Sequence, residues 1–189
     1  MTDVHVVLIH GAWAGPWVWD GLLGPITAAG FRPHPVYLPG VGPDVHASEP
    51  VDLADVTAAV IEQLTDLDGA LVVVGHSGGG VVATQVAEKL ADRVAGVVFV
   101  AGMMLPSGYS FGDICTDVGL DHSTGISRYL DISDDNRISS VPAEAAASIF
   151  FHRAPAGAAI EAARRLKPQQ ESTRLITATW TPERFGTLP

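Results

Sequence analysis

The chain has 189 residues, 47% of them hydrophobic and 17% charged, which suits the core of about one domain and excludes a disordered type. Acidic residues outnumber basic ones 21 to 11, for a net charge of −10. This argues against nucleic acid or an anionic membrane as partner, because both are gripped by clustered Lys and Arg. A single cysteine, Cys115, excludes an intramolecular disulfide and a cysteine-based zinc site, and reads as a small buried hydrophobe.

The opening MTDVHVVLIHG has no basic stretch and no small-residue cleavage site. No apolar run reaches the ~18 residues that a membrane span needs, so a cytoplasmic location is expected. VHVVLI (4–9) is a β-branched run that predicts a strand. Trp17 to Ala29 reads as a helix, with Pro16 near its first turn and Gly30 as its C-terminal stop. FRPHPVYL (31–38) is a weaker strand, interrupted by Pro33 and Pro35. Leu53, Val56, Val60, Ile61 and Leu64 form a helical stripe, with Asp52 in the first turn. ALVVV (70–74) predicts a buried strand, 78–90 a helix, and VAGVVFVAG (94–102) a further buried strand.

Apolar runs without clean alternation, separated by helical segments, predict an α/β fold: a mostly parallel sheet with helices on both faces. After Met103 the rhythm changes. Residues 104–140 are rich in Gly, Ser and Asp and hold no convincing strand, 142–152 and 156–166 read as helices, and 172–180 fits helix or strand. Residues 1–103 are therefore read as the core, 104–180 as a helical cap inserted over the sheet, and 181–189 as the start of a return to the core.

In an open parallel sheet, ligands sit beyond the carboxyl ends of the strands. Ser77 stands there, in Gly-His-Ser-Gly-Gly, and fits the G-x-S-x-G nucleophile elbow. Side chains two residues to either side would collide in so tight a turn, hence Gly75 and Gly79. A glycine-rich turn with an idle serine is the bland alternative; the strand before and the helix after favour the elbow. The N–H of Gly78 would face whatever Ser77 attacks. HGAW (10–13), after the first strand, is placed to add the N–H of Ala12 as a second oxyanion donor, provided the two strands are neighbours. His10, Gly11, Trp13 and His76 are read as residues of the substrate side. Neither His10, which more often orders such a loop, nor His76, whose ring is expected to turn away from the site, is read as the general base.

VVLIHGAWAGPWVWDGLLGPITAAGFRPHPVYLPG followed by VVVGHSGGGVVA resembles the α/β-hydrolase superfamily, and within it the branch of plant methyl esterases, hydroxynitrile lyases and bacterial carboxylesterases. VPAEAAASIFFHRAP and ARRLKPQQ are similar to the two cap helices of that branch. The resemblance implies Ser77 as nucleophile, the Ala12 and Gly78 N–H groups as oxyanion hole, and no metal or organic cofactor. Lyases of the branch carry threonine where this chain has Gly11, which favours ester hydrolysis. In such enzymes the catalytic acid and histidine follow later strands. WTPERFGTLP corresponds to about where the next core strand begins, so the acid, the late histidine and the rest of the sheet are expected to be missing and the chain to be a truncated form.

Stand-ins within the chain are few. His122 and His152 lie in the cap and read as exposed or structural. Among the acids Asp113, Asp117, Asp121, Asp131, Asp134 and Asp135, Asp113 lies nearest the fourth strand. VVFVAG would form an open sheet edge, expected to be completed by a further chain segment or by a second copy in a homo-oligomer. The function expected is a serine-dependent, carboxylesterase-like hydrolase acting on a small hydrophobic ester through an acyl-enzyme, with base and acid not evident in the chain. The alternatives are a non-catalytic ligand-binding protein of hydrolase fold and a hydroxynitrile-lyase-like C–C lyase.

Overall fold

The computed structural model describes residues 3–43, 45, 49–121 and 125–189. Four parallel strands form the main sheet: β1 (Val4–Ile9), β2 (Arg32–Pro35), β3 (Ala70–His76) and β4 (Val94–Val100), in the order β2-β1-β3-β4. The chain leaves β1 in one direction to reach β2 and crosses back to reach β3. That reversal opens a crevice above the carboxyl ends of β1 and β3. Ile9 pairs with Gly75, so the two strands finish level and their following loops meet.

Side chains alternate along β1. Val7 and Ile9 enter a cluster with Val56 and Val60 of α2 (Leu53–Glu62) and Val82 and Val86 of α3 (Gly79–Lys89). Val6 and Leu8 face Trp19, backed by Leu23 and Ile26 of α1 (Asp20–Ala28). Helices on both faces explain why β1 is apolar on both faces from Val6 to Ile9. The helix expected from Trp17 opens instead as a 3-10 turn, Pro16–Trp19, and becomes α-helical only at Asp20. Asp52 does more than sit in a first turn. Its carboxylate accepts from Asp55 N–H at 2.9 Å and the Asp55 carboxylate accepts from Asp52 N–H at 3.0 Å, a reciprocal cap. Pro33 and Pro35 are tolerated because β2 is an edge strand.

β4 is the open edge expected of VVFVAG rather than a strand buried on both sides. Among the described residues it pairs with β3 alone, and Val98 and Val100 are 47% and 42% exposed. The chain nevertheless comes back to it. Thr181 N–H, the Thr181 hydroxyl and Phe185 N–H donate to the Glu88 carboxylate on α3. Arg184 Nε donates to the Glu88 carbonyl. From that anchor the segment reaches β4, where the Pro189 carbonyl accepts from Val97 N–H at 2.9 Å.

Residues 104–140 were expected to lack strands, and this is corrected. After α4 (Phe111–Asp117) come β5 (Asp131–Ile132) and β6 (Ile138–Ser140), which join β7 (Gln169–Gln170) in an antiparallel sheet of order β5-β6-β7. Strands this short carry no periodicity; pairing across distant sequence makes them. α5 (Ala143–Ile149) and α6 (Ala156–Arg165) occupy the two predicted helical stretches. The ambiguous 172–180 stretch completes one turn, α7 (Glu171–Arg174), and then sends Ile176 and Ala178 into the main core. Among the described residues no helix is long and apolar enough to cross a membrane.

Candidate active site

Ser77 joins β3 to α3 with φ +52°, a left-handed backbone that costs a non-glycine residue about 1–3 kcal/mol. The surroundings hold it there. Ser77 N–H donates to the Val100 carbonyl at 3.4 Å, and the Ser77 carbonyl accepts from Gly80 N–H at 3.0 Å and Met103 N–H at 2.9 Å. The flanking glycines answer to close approach. A Cβ at Gly75 would lie 2.7 Å from the Gly79 carbonyl oxygen and the Gly80 Cα. One at Gly79 would lie 2.4 Å from the His10 carbonyl oxygen. Gly80, outside the five-residue pattern, is pressed as hard, 2.7 Å from Met103 N.

The loop after β1 meets this turn. A Cβ on Gly11 would fall 2.9 Å from Ser77 Cβ and 3.0 Å from His76 Nδ1, so the bare backbone of residue 11 lies against the serine. Ala12 follows directly. Neither the Ala12 nor the Gly78 N–H is matched to an acceptor among the described residues. Two free amide donors flanking a strained serine are the parts from which an oxyanion site is built.

His10 is buried, and its Nδ1 lies 2.9 Å from the Gly11 carbonyl, which can only accept; this fixes the proton on Nδ1. Burial dominates over that bond and, with the positive charge of a protonated His76, pushes its pKa down to about 4. At neutral pH His10 is thus an uncharged strut for the loop. His76 is half-buried, its ring edge-on to Trp19 at 6.3 Å and its Nδ1 close to Gly11. It lies beside the loop rather than turned away from it, and burial lowers its pKa. His76 Nδ1 and Trp19 Nε1 are buried with no hydrogen-bond partner among the described residues.

Trp13 is also left-handed, at φ +58°. Its indole is stacked on Phe150 at 6.3 Å and capped by the Arg174 guanidinium at 5.7 Å. Trp13 therefore lies where the loop after β1 meets Phe150 and Arg174. Trp17 is half-buried, with the Arg165 guanidinium 4.4 Å above its ring.

No hydrogen bond joins the Ser77 hydroxyl to a histidine or a carboxylate among the described residues. His152 is exposed, with Nδ1 3.1 Å from the Ile149 carbonyl. His122 lies outside the described residues. Asp113 is not available as the acid: its carboxylate accepts from the Ser110 N–H and hydroxyl, capping α4. Those bonds, the hydroxyl's foremost, hold its pKa below the ordinary value. Ser110-x-x-Asp113 is a capping signature that could have been read in the sequence.

Sequence reasoning missed two residues of the cap sheet, Ser139 and Gln169. They are register partners across β6 and β7, and both bond Trp13. No spacing pattern announces them, because only the folded cap brings them to the loop.

The chain matches the description "Alpha/beta hydrolase family" over residues 6–189. Among curated proteins it is 36% identical to a pheophorbidase of Raphanus sativus over 108 residues, covering 56% of this chain and 41% of that one. It is 32% identical to a pFDCC methylesterase of Arabidopsis thaliana, again over 108 residues, covering 56% and 41%. It is 34% identical to a carbendazim hydrolyzing esterase of a Nocardioides species over 112 residues, covering 56% and 45%. Each match thus takes in less than half of the curated relative. Among solved structures, polyneuridine aldehyde esterase superposes with a TM-score of 0.80 at 21% identity, covering 98% of this chain and 77% of that one. Tomato methylketone synthase I gives 0.79 at 19%, covering 100% and 77%. At these identities the structural likeness establishes the fold. With the family match spanning nearly its whole length, the chain belongs to the alpha/beta hydrolase family.

Proposed function

We propose that this hydrolase is a carboxylesterase acting on small hydrophobic esters, with Ser77 as the nucleophile. The observation that carries the reading is the left-handed serine at the carboxyl end of β3, set against the bare backbone of Gly11. The Ser77 oxygen attacks the ester carbonyl, the tetrahedral oxyanion takes hydrogen bonds from Ala12 and Gly78 N–H, and the alcohol leaves. Water then releases the acid from the acyl-enzyme. Each donor is worth on the order of 3 kcal/mol of barrier. His10, Gly11, Trp13 and His76 shape the substrate side, and the chemistry calls for no metal or organic cofactor. The esterase names of the relatives support the reaction class.

Such chemistry needs a base and an acid, and we assign them to the polypeptide that pairs with β4. A parallel neighbour on that edge would end beside Val100, whose carbonyl already receives Ser77 N–H. A further segment of chain or a second copy could supply it. A cytoplasmic site of action fits the lone buried thiol of Cys115.

One observation favours a second reading, a ligand-binding protein without turnover: the Ser77 hydroxyl lacks a base among the described residues. A lyase of the hydroxynitrile kind is disfavoured, since Gly11 offers no side-chain hydroxyl where lyases of the branch carry threonine. The test is labelling by a fluorophosphonate probe and hydrolysis of p-nitrophenyl butyrate by the protein as its reading frame encodes it. Both are expected in the wild type and lost in Ser77→Ala, with turnover falling about a million-fold. Labelling unchanged in Ser77→Ala overturns the esterase reading, and apolar-ligand binding without turnover replaces it with the second.

A further inference from the structure

We infer that Gln169, a cap residue, is the positioning residue that sets the Ala12–Trp13 peptide and so aims the oxyanion donor of Ala12; the inference rests on the esterase reading above. Gln169 is 4% exposed. Its Oε1 accepts from Trp13 N–H at 2.7 Å. A backbone N–H can only donate, so this contact fixes which end of the amide faces the loop. The other end donates to the Thr173 hydroxyl at 3.1 Å, and that hydroxyl donates to the Gln170 carbonyl at 2.9 Å. The amide is thereby held at both ends.

The geometry it holds is one that Trp13 would not adopt unaided. A peptide plane is rigid, so holding Trp13 N–H orients the Ala12–Trp13 unit, and Ala12 N–H, on the unit before it, is then set by the φ and ψ of Ala12 alone. Four other contacts close on the same residue. Lys167 N–H donates to the Trp13 carbonyl at 2.8 Å. The indole Nε1 donates to the Ser139 hydroxyl at 2.9 Å, directly across the small sheet from Gln169. Phe150 and Arg174 close over the ring. Ser139 in turn bonds the Glu171 carboxylate, which is paired with Arg174.

Two consequences follow. Trp13 N–H is consumed by Gln169, whereas Ala12 N–H beside it is matched to no acceptor among the described residues. The cap also sets the geometry of the core loop, although no cap residue touches Ser77 through a hydrogen bond among the described residues. Gln170 does the same for a second core loop: its Oε1 accepts from Val51 N–H at 2.9 Å, and its Nε2 donates to the Glu49 carbonyl at 3.0 Å.

The test compares Gln169→Met, which keeps length without an acceptor, with Gln169→Glu, which keeps the acceptor. Amide exchange at Ala12 and Trp13 is followed by NMR beside ester kinetics, with Ser77→Ala as control. In Gln169→Met, Trp13 N–H is expected to lose its protection and kcat to fall about 100-fold, the scale of a small misplacement. KM should move less than kcat, because the misplaced donor acts on the oxyanion, which forms only in the transition state. Gln169→Glu should restore protection and most of kcat. Unchanged exchange at Trp13 in Gln169→Met overturns the inference whatever the kinetics show. So does a loss of kcat and KM together that Gln169→Glu fails to rescue. Should Ser77→Ala leave ester turnover intact, the esterase reading fails, and the exchange experiment still decides whether Gln169 holds the peptide.

Discussion

β1 and β4 are similar in composition and opposite in circumstance. VHVVLI has a strand on each side and a helix layer on each face; VAGVVFV has a strand on one side, and alternate valines stand in solvent. At Gly75, Gly79 and Gly80 the crevice end of the sheet admits no added atom, since each lies within 2.8 Å of backbone where a Cβ would go. The β4 edge meets only the Pro189 end of the chain among the described residues, at Val97 N–H. An apolar run states what a segment can bury, and its neighbours decide what it does bury. The strained serine is built where contacts come from β1, β4 and α3 at once, because only there can a left-handed residue be over-determined.

The comparison is broken most severely by filling the crevice. Gly79→Ala drives a methyl group into the carbonyl oxygens of His10 and Ile9. It should cost about 3 kcal/mol in urea unfolding and abolish any Ser77 labelling. A result near zero would mean the crevice is as yielding as the edge.

Acid tests the same end through His10. Its pKa is about 4 when folded and 6.5 in the open chain, so the unfolded state binds the extra proton between those values. Stability should therefore fall as pH drops from 6.5 to about 4, by about 3 kcal/mol in all. His10→Asn should flatten that slope in urea titrations at several pH values.

Glu88 tests the cover of the open end. Burial raises its carboxyl pKa, but the bonds from Phe185 and Thr181, with the Arg184 charge, outweigh it and hold the group below its ordinary 4.5. Its contribution is full above the unfolded value and is lost as pH falls through the folded one, a lower window than that of His10. Glu88→Gln should cost roughly 2 kcal/mol at neutral pH. Hydrogen exchange should quicken at 181–187 and at Val97 while β1 stays protected.

The smallest effects sharpen the contrast from its tolerant side. Val98→Thr replaces an exposed edge valine and should change stability by less than about 0.5 kcal/mol while reducing aggregation. Gly78→Ala should be equally mild. Its Cβ would meet nothing within 4 Å, its backbone is right-handed helical, and its N–H survives the change.

How far the sequence could be read follows the range of the interactions. β1, β3, α2 and α3 were legible because their apolar spacing is local. The serine turn was legible because its glycines answer to sterics a few residues away. Gly11 against Ser77 followed once β1 and β3 were taken as neighbours. β5, β6 and β7 were not legible, since Ile138 finds Gln170 only across the intervening cap helices. Gln169 and Ser139 were invisible for the same reason: polar side chains gain their meaning from the loop they reach. Asp113 carried a second signal: its nearness to the fourth strand made it the nearest stand-in acid, while Ser110 three residues earlier marked a helix cap.

The contact between Gly79 and the end of β1 also bears on when this protein becomes reactive. The two segments are far apart in the chain, and the serine's backbone keeps its unusual angle only while both stay docked. A nascent or partly opened chain therefore carries an ordinary, unaimed alcohol at position 77. On the proposed esterase reading, an aimed hydroxyl would arrive with the last stage of assembly and vanish with the first stage of its loss.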